Sequence, residues 1–306
     1  MTSAIETPRI RTVINLGMLL LLATLWASAF ILIKIAVVEV PPLTLIASRT
    51  LIASIILLGV MAFRGIKLPR DPDVWRRFMI QASLNSVVPF ALIAWAESHV
   101  DAGLAVILGS NAPIFAVLLA LLFVRHESPT LRQGIGIMIG LAGICLVIGV
   151  NALGGLGKDV VAQLALVLAT VAFGAAVLFG RNFNGLDSIV PAAGSLLCGA
   201  CVLVPTSLIV DHPWTLTPST NTIIALLVLA VFSTAGAFVI YFHLIRTLGP
   251  VGTTAQAYLR VPIGVLLSVV FLGETVSPTV GVGLVCVVAG IALMTIQRRA
   301  PAAARP

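Results

Sequence analysis

Three cations lie inside long apolar stretches of this sequence. Lys34, Arg49 and Arg260 are the only charged residues within these runs, whereas the acidic residues fall in the tails, in the loops or at the ends of the runs. A buried charge is costly unless it finds a partner or water. Because arginine keeps its proton, its side chain must face a counter-ion, backbone carbonyls or a hydrated cavity, and a carboxylate on a ligand is one such counter-ion.

Arg260 and Asn111 are each followed two positions later by a proline. Pro262 and Pro113 are therefore expected to kink their helices and to free backbone carbonyls that need another donor. With a rise of about 1.5 Å per residue, Arg260 and Asn111 fall near the middle of their apolar runs. For Arg260, both the capping of freed carbonyls and the lining of a cavity stay open. For Asn111, an interhelical hydrogen bond and contact with a ligand stay open.

Other polar and aromatic side chains lie at similar depth. Aromatic faces, amides and a cation together suit a small zwitterion with an apolar side chain, although many such residues serve only packing or the membrane interface. Lys34 and Arg49 lie near the ends of their runs, where they could snorkel or pair with Glu39. The candidates for ligand contact are Trp26, Asn85, Trp95, Asn111, Tyr241, Tyr258 and Arg260, with Ser86, Thr170, His243 and Gln256 as further polar positions.

The elements that carry these residues are predicted to be membrane helices. Of 306 residues, 59% are hydrophobic and 9% are charged, whereas ordinary soluble domains have roughly 25% charged residues. A water-soluble core could not bury so much apolar surface, so the sequence predicts an all-α integral membrane protein. Apolar runs of about 20 residues indicate ten spans, at 13–38, 43–63, 78–96, 102–124, 134–150, 160–179, 189–210, 222–245, 252–272 and 280–297.

A fixed offset of 147 residues maps the chain onto itself, so that Ser86 falls on Ser233 and Glu127 on Glu274. This self-match indicates a duplicated unit with five spans in each copy. Because five is an odd number, the second copy must enter the bilayer from the opposite side, which predicts two inverted-topology repeats. The expected organisation is a tail at 1–12, a first repeat at 13–151, a second repeat at 152–297 and a tail at 298–306.

The distribution of Lys and Arg predicts that both termini are cytoplasmic. In that orientation, fourteen Lys and Arg residues lie inside and only Lys158 lies outside, as the positive-inside rule requires. The net charge of +7 then reflects topology and contact with anionic lipid, and nothing supports binding to nucleic acid. A monomer or a weak homo-oligomer in the inner membrane is expected.

Several function classes lack support in the sequence. An enzyme would need paired carboxylates, a nucleophile with its base, or clustered metal ligands, and neither the four scattered histidines nor the loop acids provide them. Cys198 and Cys201 have the spacing of small residues that pack between helices, so no metal and no cofactor is predicted. A channel would be expected to repeat polar residues in rings by oligomer symmetry. An inverted repeat within one chain argues against that arrangement.

Several motifs occur in the two halves of the chain. They are Leu25-Trp26-Ala27-Ser28-Ala29-Phe30 with Lys34, Asn111-Ala112-Pro113 with Glu127, and Leu248-Gly249-Pro250 through Pro262 to Leu272-Gly273-Glu274. These motifs resemble the EamA module of the drug/metabolite transporter superfamily. The similarity covers about 13–297, and within the superfamily it is greatest to bacterial exporters of aromatic amino acids. It implies a helical basket with a central cavity that exports small metabolites by alternating access.

The expected substrates are amino acids with apolar or aromatic side chains. Another metabolite or drug, such as a purine or an organic cation, remains an alternative, although an organic cation would favour acidic residues in the cavity. Within the spans, only His243 could titrate near neutral pH, which favours facilitated export or weak ion coupling.

Overall fold

The structure is a computed structural model, and it describes residues 8–123, 131–148, 158–254 and 256–295. Within these ranges the regular secondary structure is entirely helical. The α-helices are α1 (Pro8–Ala36), α2 (Pro42–Phe63), α3 (Pro72–Ala82), α4 (Val88–Glu97), α5 (Ala102–Gly109), α6 (Ala112–Phe123), α7 (Leu131–Ile148), α8 (Lys158–Phe179), α9 (Ile189–Val210), α10 (Thr220–Ala230), α11 (Ala237–Thr254), α12 (Gln256–Leu267) and α13 (Pro278–Thr295).

Seven helical segments of the described chain are long and apolar enough to cross a membrane. Three further apolar helices are shorter, at Gly134–Gly143, Leu259–Leu272 and Pro278–Gly290. Each of these segments overlaps an apolar run predicted from the sequence. The seven long segments are Val13–Ala36, Pro42–Phe63, Pro72–Glu97, Ala102–Leu122, Val160–Phe183, Ile189–Val210 and Thr220–Gly249.

Two of the long segments contain a π-helical stretch, which the apolar pattern does not predict. The first stretch is Ser83–Val87, between α3 and α4, and the second is Val231–Gly236, between α10 and α11. In the second stretch, the Thr234 hydroxyl donates to the carbonyl of Leu229 at 2.8 Å. The two stretches lie at nearly matching positions under the 147-residue offset. Such π-bulges are frequent at functional sites.

Helices α7 and α13 approach each other at backbone contact. A Cβ atom added to Gly290 would lie 2.6 Å from both the carbonyl oxygen of Gly136 and the amide nitrogen of Gly140. Only small residues permit so close an approach of two helix backbones. The small-residue face of α7 is therefore used for packing within the chain.

The remaining core is also built between early and late helices. Helix α2 packs against α9, α1 packs against α12, and α4 and α6 both pack against α8. Phe78 and Phe238 are among the largest fully buried side chains of this core. The helices that surround the cavity are thus held in place by contacts between the two halves of the sequence.

Candidate functional site

A cavity of about 730 Å³, including its mouth, lies among helices from both halves of the chain. Its walls are mainly apolar and aromatic, with Phe30, Phe90, Phe173 and Phe238 among the lining residues. Ligand sites of transport proteins and enzymes are commonly of this kind, with a few polar groups set in an apolar wall. The polar and amphipathic lining residues are Trp26, Arg49, Asn85, Tyr241, Thr253, Gln256 and Arg260.

Arg260, on α12, both caps backbone and lines the cavity. Its Nε donates to Ser110 Oγ at 3.0 Å, and its Nη2 donates to the carbonyl of Gly109 at 2.7 Å. These acceptors lie where the helical run between α5 and α6 is interrupted. The guanidinium carbon lies 5.9 Å from the centroid of the Trp26 ring. The two interpretations left open by the sequence are therefore compatible in this geometry.

Asn111 lies at the same interruption, but its side chain faces the helix end. Its Nδ2 donates to the carbonyls of Ile107 at 3.0 Å and Leu108 at 2.8 Å. It does not belong to the cavity lining. Pro113 is the second residue of α6, so the interruption precedes it, whereas α12 continues through Pro262. The paired prolines thus have different local structures.

Arg49, on α2, points into the same cavity and is only 2% exposed. Its Nε donates to Thr234 Oγ1 at 3.0 Å, and its guanidinium carbon lies 4.0 Å from the centroid of the Phe90 ring. The expectation that Arg49 snorkels or pairs with Glu39 is wrong, because helix packing turns its side chain inward.

Glu39 instead contacts the loop that precedes α10. Its carboxylate accepts a hydrogen bond from the backbone N–H of Ser219 at 2.6 Å. This bond, together with hydrogen bonds from the hydroxyls of Thr222 and Ser219, lowers the pKa of Glu39 below its ordinary value. The carboxylate therefore remains charged at neutral pH and joins two connecting segments.

Two charged side chains hold the turn between α4 and α5 from opposite sides. The Lys34 ammonium donates to the carbonyls of Glu97 at 2.9 Å and Val100 at 2.6 Å, at the end of α4. The Glu274 carboxylate accepts from the backbone N–H groups of Ala102 and Gly103, each at 2.8 Å, at the start of α5. Each charge complements the helix end that it contacts. Of the two alternatives left open for Lys34, pairing with Glu39 does not occur.

Glu97 is an acidic residue whose burial the sequence does not reveal. It ends α4, as expected of an acid at the edge of a span, yet it is fully buried. Neither carboxylate oxygen has a hydrogen-bond partner among the described residues. Lys34, Arg49 and Glu274 are the charged groups within electrostatic range of it. The interior is therefore less purely cationic than the sequence suggests.

The other candidates have distinct locations. Asn85 lies in the first π-helical stretch and lines the cavity, where the Trp26 and Tyr241 ring centroids are 5.4 Å apart. Trp95 is 38% exposed and packs on His99 away from this cavity. The side chain of Tyr258 lies outside the described part of the structure. No cluster of metal-binding side chains occurs among the described residues.

Apolar helices of membrane-spanning length around a mainly apolar cavity with a few polar groups are the architecture expected of a membrane transport protein. The profile of the EamA-like transporter family matches this chain twice, at residues 14–149 and 160–296. The chain belongs to this family, and hence to the drug/metabolite transporter superfamily. It is accordingly a membrane transporter and not an enzyme.

Similar proteins include transporters of about the same length. The inner membrane transporter YedA of Escherichia coli K12 is 28% identical over 282 residues, which are 92% of this chain and 90% of YedA. A protein of Streptantibioticus cattleyicolor described as a probable terminal-alkyne amino-acid exporter is 30% identical over 283 residues, 92% of each chain. One solved crystal structure covers 93% of this chain and 96% of its own at a TM-score of 0.65 and 21% identity, which shows a shared fold.

Proposed function

We propose that this protein is a secondary transporter that exports amino acids with apolar or aromatic side chains from the cytoplasm. The observation that carries the proposal is the cavity in which the Arg260 guanidinium lies 5.9 Å from the centroid of the Trp26 ring, which in turn packs on Tyr241. A carboxylate matches the guanidinium, and an apolar side chain matches the aromatic wall.

The polar atoms of the lining can account for both ends of such a substrate. Arg260 uses Nε and Nη2 in contacts with the backbone and Ser110, while Nη1 has no hydrogen bond to the described residues. This nitrogen is available for a carboxylate oxygen. Gln256 Oε1 is buried in the same lining without a partner among the described residues, so it can accept from the substrate's nitrogen.

The proposal includes ten spans arranged as two inverted five-helix repeats, at 13–151 and 152–297. Three observations support this arrangement: the double match of the family profile, the nearly corresponding π-helical stretches, and the packing of α2 on α9 and α7 on α13. Within each of these pairs, the first helix falls on the second under the 147-residue offset. Alternating access would rock one repeat against the other around the cavity, with both termini in the cytoplasm.

The alternative substrates fit the lining less well. An organic cation would need acidic side chains, and the described lining residues include two arginines and no acid. A purine would use the aromatic wall but would leave the guanidinium without an anion. The relative described as an amino-acid exporter supports the amino-acid proposal at 30% identity.

The test is counterflow into proteoliposomes that contain the purified protein. The vesicles are preloaded with one unlabelled amino acid, and a labelled panel is added outside, with and without a pH gradient. The proposal predicts saturable entry of aromatic and branched-chain amino acids without a requirement for the gradient. Silence across the amino-acid panel, combined with movement of a cationic drug, would refute it.

A further inference from the structure

The cavity contains a second guanidinium that the proposed binding mode does not use. Arg49 reaches the cavity from α2, and Arg260 reaches it from α12. Both side chains are at least nine-tenths buried. A substrate that bound only through one carboxylate to Arg260 would make no contact with the Arg49 guanidinium.

The position of the Arg49 guanidinium is fixed by its neighbours. Its Nε is bound to Thr234 Oγ1 at 3.0 Å, and the Thr234 hydroxyl is itself held by the carbonyl of Leu229 at 2.8 Å. The Phe90 ring covers the guanidinium at 4.0 Å. Neither Nη1 nor Nη2 of Arg49 has a hydrogen bond to a described residue, so both remain available as donors.

A second buried donor lines the same cavity from the other π-helical stretch. Asn85 is 2% exposed, and its Nδ2 has no hydrogen-bond partner among the described residues. Unpartnered buried donors are costly, and both Asn85 and Arg49 would be satisfied by an oxygen acceptor on the ligand. A substrate ammonium is itself a donor and a cation, so it cannot serve as that acceptor.

The charges around the cavity also favour a ligand with a net negative charge. Lys34 and Glu274 lie at the turn next to Glu97, where Lys34 contacts backbone carbonyls and Glu274 contacts backbone amides. Even if Glu97 balances one arginine, the other arginine of the lining has no acid to match it among the described residues. A zwitterion leaves that positive charge in place, whereas a net anion neutralises it.

We propose that Arg49 and Asn85 form an acceptor-binding subsite and that the preferred substrates are N-acylated amino acids with apolar or aromatic side chains. The carboxylate then binds Arg260, the acyl oxygen binds Arg49 and Asn85, and the single amide N–H donates to Gln256 Oε1. This inference rests on the proposed function and names the substrate form that the same cavity selects.

The experiment compares N-acetyl-L-phenylalanine with L-phenylalanine, both labelled, in counterflow into proteoliposomes of the full chain. The half-saturating concentration is expected to be roughly tenfold lower for the acetylated compound, as one additional good hydrogen-bonded contact provides. Ligand-dependent thermal stabilisation of the protein in detergent gives the same order without transport. Phenylpyruvate, which is an anion without the N–H donor, is expected to lie between the two.

Variants at the subsite test its residues. Arg49→Gln and Asn85→Asp are each expected to remove roughly the tenfold advantage of the acetylated compound over L-phenylalanine, measured as the ratio of the two half-saturating concentrations. Asn85→Asp keeps the shape of the side chain, so it provides the test if Arg49→Gln fails to fold. Arg246→Gln is the matched control, because Arg246 is exposed and lies outside this cavity.

The outcomes separate the two proposals. If wild type prefers L-phenylalanine, or if a folded Arg49→Gln variant keeps the wild-type ratio, the subsite is overturned and the exporter proposal stands. If neither compound nor any member of the amino-acid panel moves, the proposed function is refuted and this inference falls with it.

Discussion

Replacing Glu274 by Gln should destabilise the fold more than its position outside the helices suggests. The carboxylate accepts two backbone N–H groups at 2.8 Å, from Ala102 and Gly103, so it closes the start of α5 with a segment more than 170 residues away. A carboxamide is nearly isosteric, but it has one acceptor oxygen and one donor nitrogen. One of the two backbone amides would therefore lose its acceptor and face an NH₂ group instead.

The expected loss follows from these two contacts. A hydrogen bond to a charged group contributes about 1.5–3 kcal/mol, and a negative charge at a helix N-terminus adds about 0.3–1 kcal/mol at partly exposed positions. Glu274 is partly buried, so the lower part of this range applies. Loss of one bond and of the charge should lower the free energy of unfolding by about 2 kcal/mol. For a chain of this size, that corresponds to a fall in Tm of about 3 °C.

Thermal unfolding of the purified protein in detergent, followed by tryptophan fluorescence, measures this effect. Glu274→Ala should lower the Tm further, because both amides then lose their acceptor. Glu39→Gln makes the same chemical change at a fully exposed carboxylate and should lower the Tm by much less. If the Tm of Glu274→Gln matches that of wild type, or of Glu39→Gln, the capping role of Glu274 is wrong.

Three further predictions concern packing, charge and pH. Gly290→Ala should destabilise the protein by about 1–3 kcal/mol, since the added methyl would meet the Gly136 carbonyl at 2.6 Å. Chemical denaturation measures this loss of stability. An unchanged denaturation midpoint would contradict the α7–α13 contact. Arg260→Gln should raise the half-saturating concentration of carboxylate substrates roughly 10- to 100-fold in counterflow, with little change for their esters. If acids and esters were affected equally, Arg260 would not bind the carboxylate. Because the pKa of Glu39 is lowered, the stabilising bond to Ser219 is present above the ordinary glutamate pKa of about 4.3 and is lost as the pH falls through the folded value. The Tm values of wild type and Glu39→Gln should therefore differ at pH 7 and converge at low pH. An equal difference in Tm at both pH values would refute this.

The helices were predictable because length and apolar composition alone decide which segments can cross a membrane. Asn85, Trp26, Tyr241 and Arg260 could be selected for the cavity because polar or amphipathic groups at that depth need a reason to be there. The destination of Arg49 could not be predicted, since it depends on Thr234, which lies 185 residues later in the chain.

The π-helical stretches were also invisible in the sequence. Ser83–Val87 continues an apolar helical run. A local change in the register of backbone hydrogen bonds does not alter the hydropathy of the sequence. Glu97 was misjudged for a related reason. Its position at the end of α4 suggested exposure, but the neighbouring helices cover that end completely. In each case tertiary packing, and not local pattern, decided the environment.

The central claim is that substrate binds inside the cavity among α1, α2, α4, α6, α8, α11 and α12. Cysteine protection tests it most directly, in a background where the four native cysteines are replaced. Ala29→Cys reports on the cavity lining, and Ser98→Cys, in the turn after α4, is the exposed control. Saturating N-acetyl-L-phenylalanine should slow the labelling of Ala29→Cys by a small thiol reagent and leave Ser98→Cys unchanged. Equal labelling of Ala29→Cys with and without a transported substrate would contradict the account.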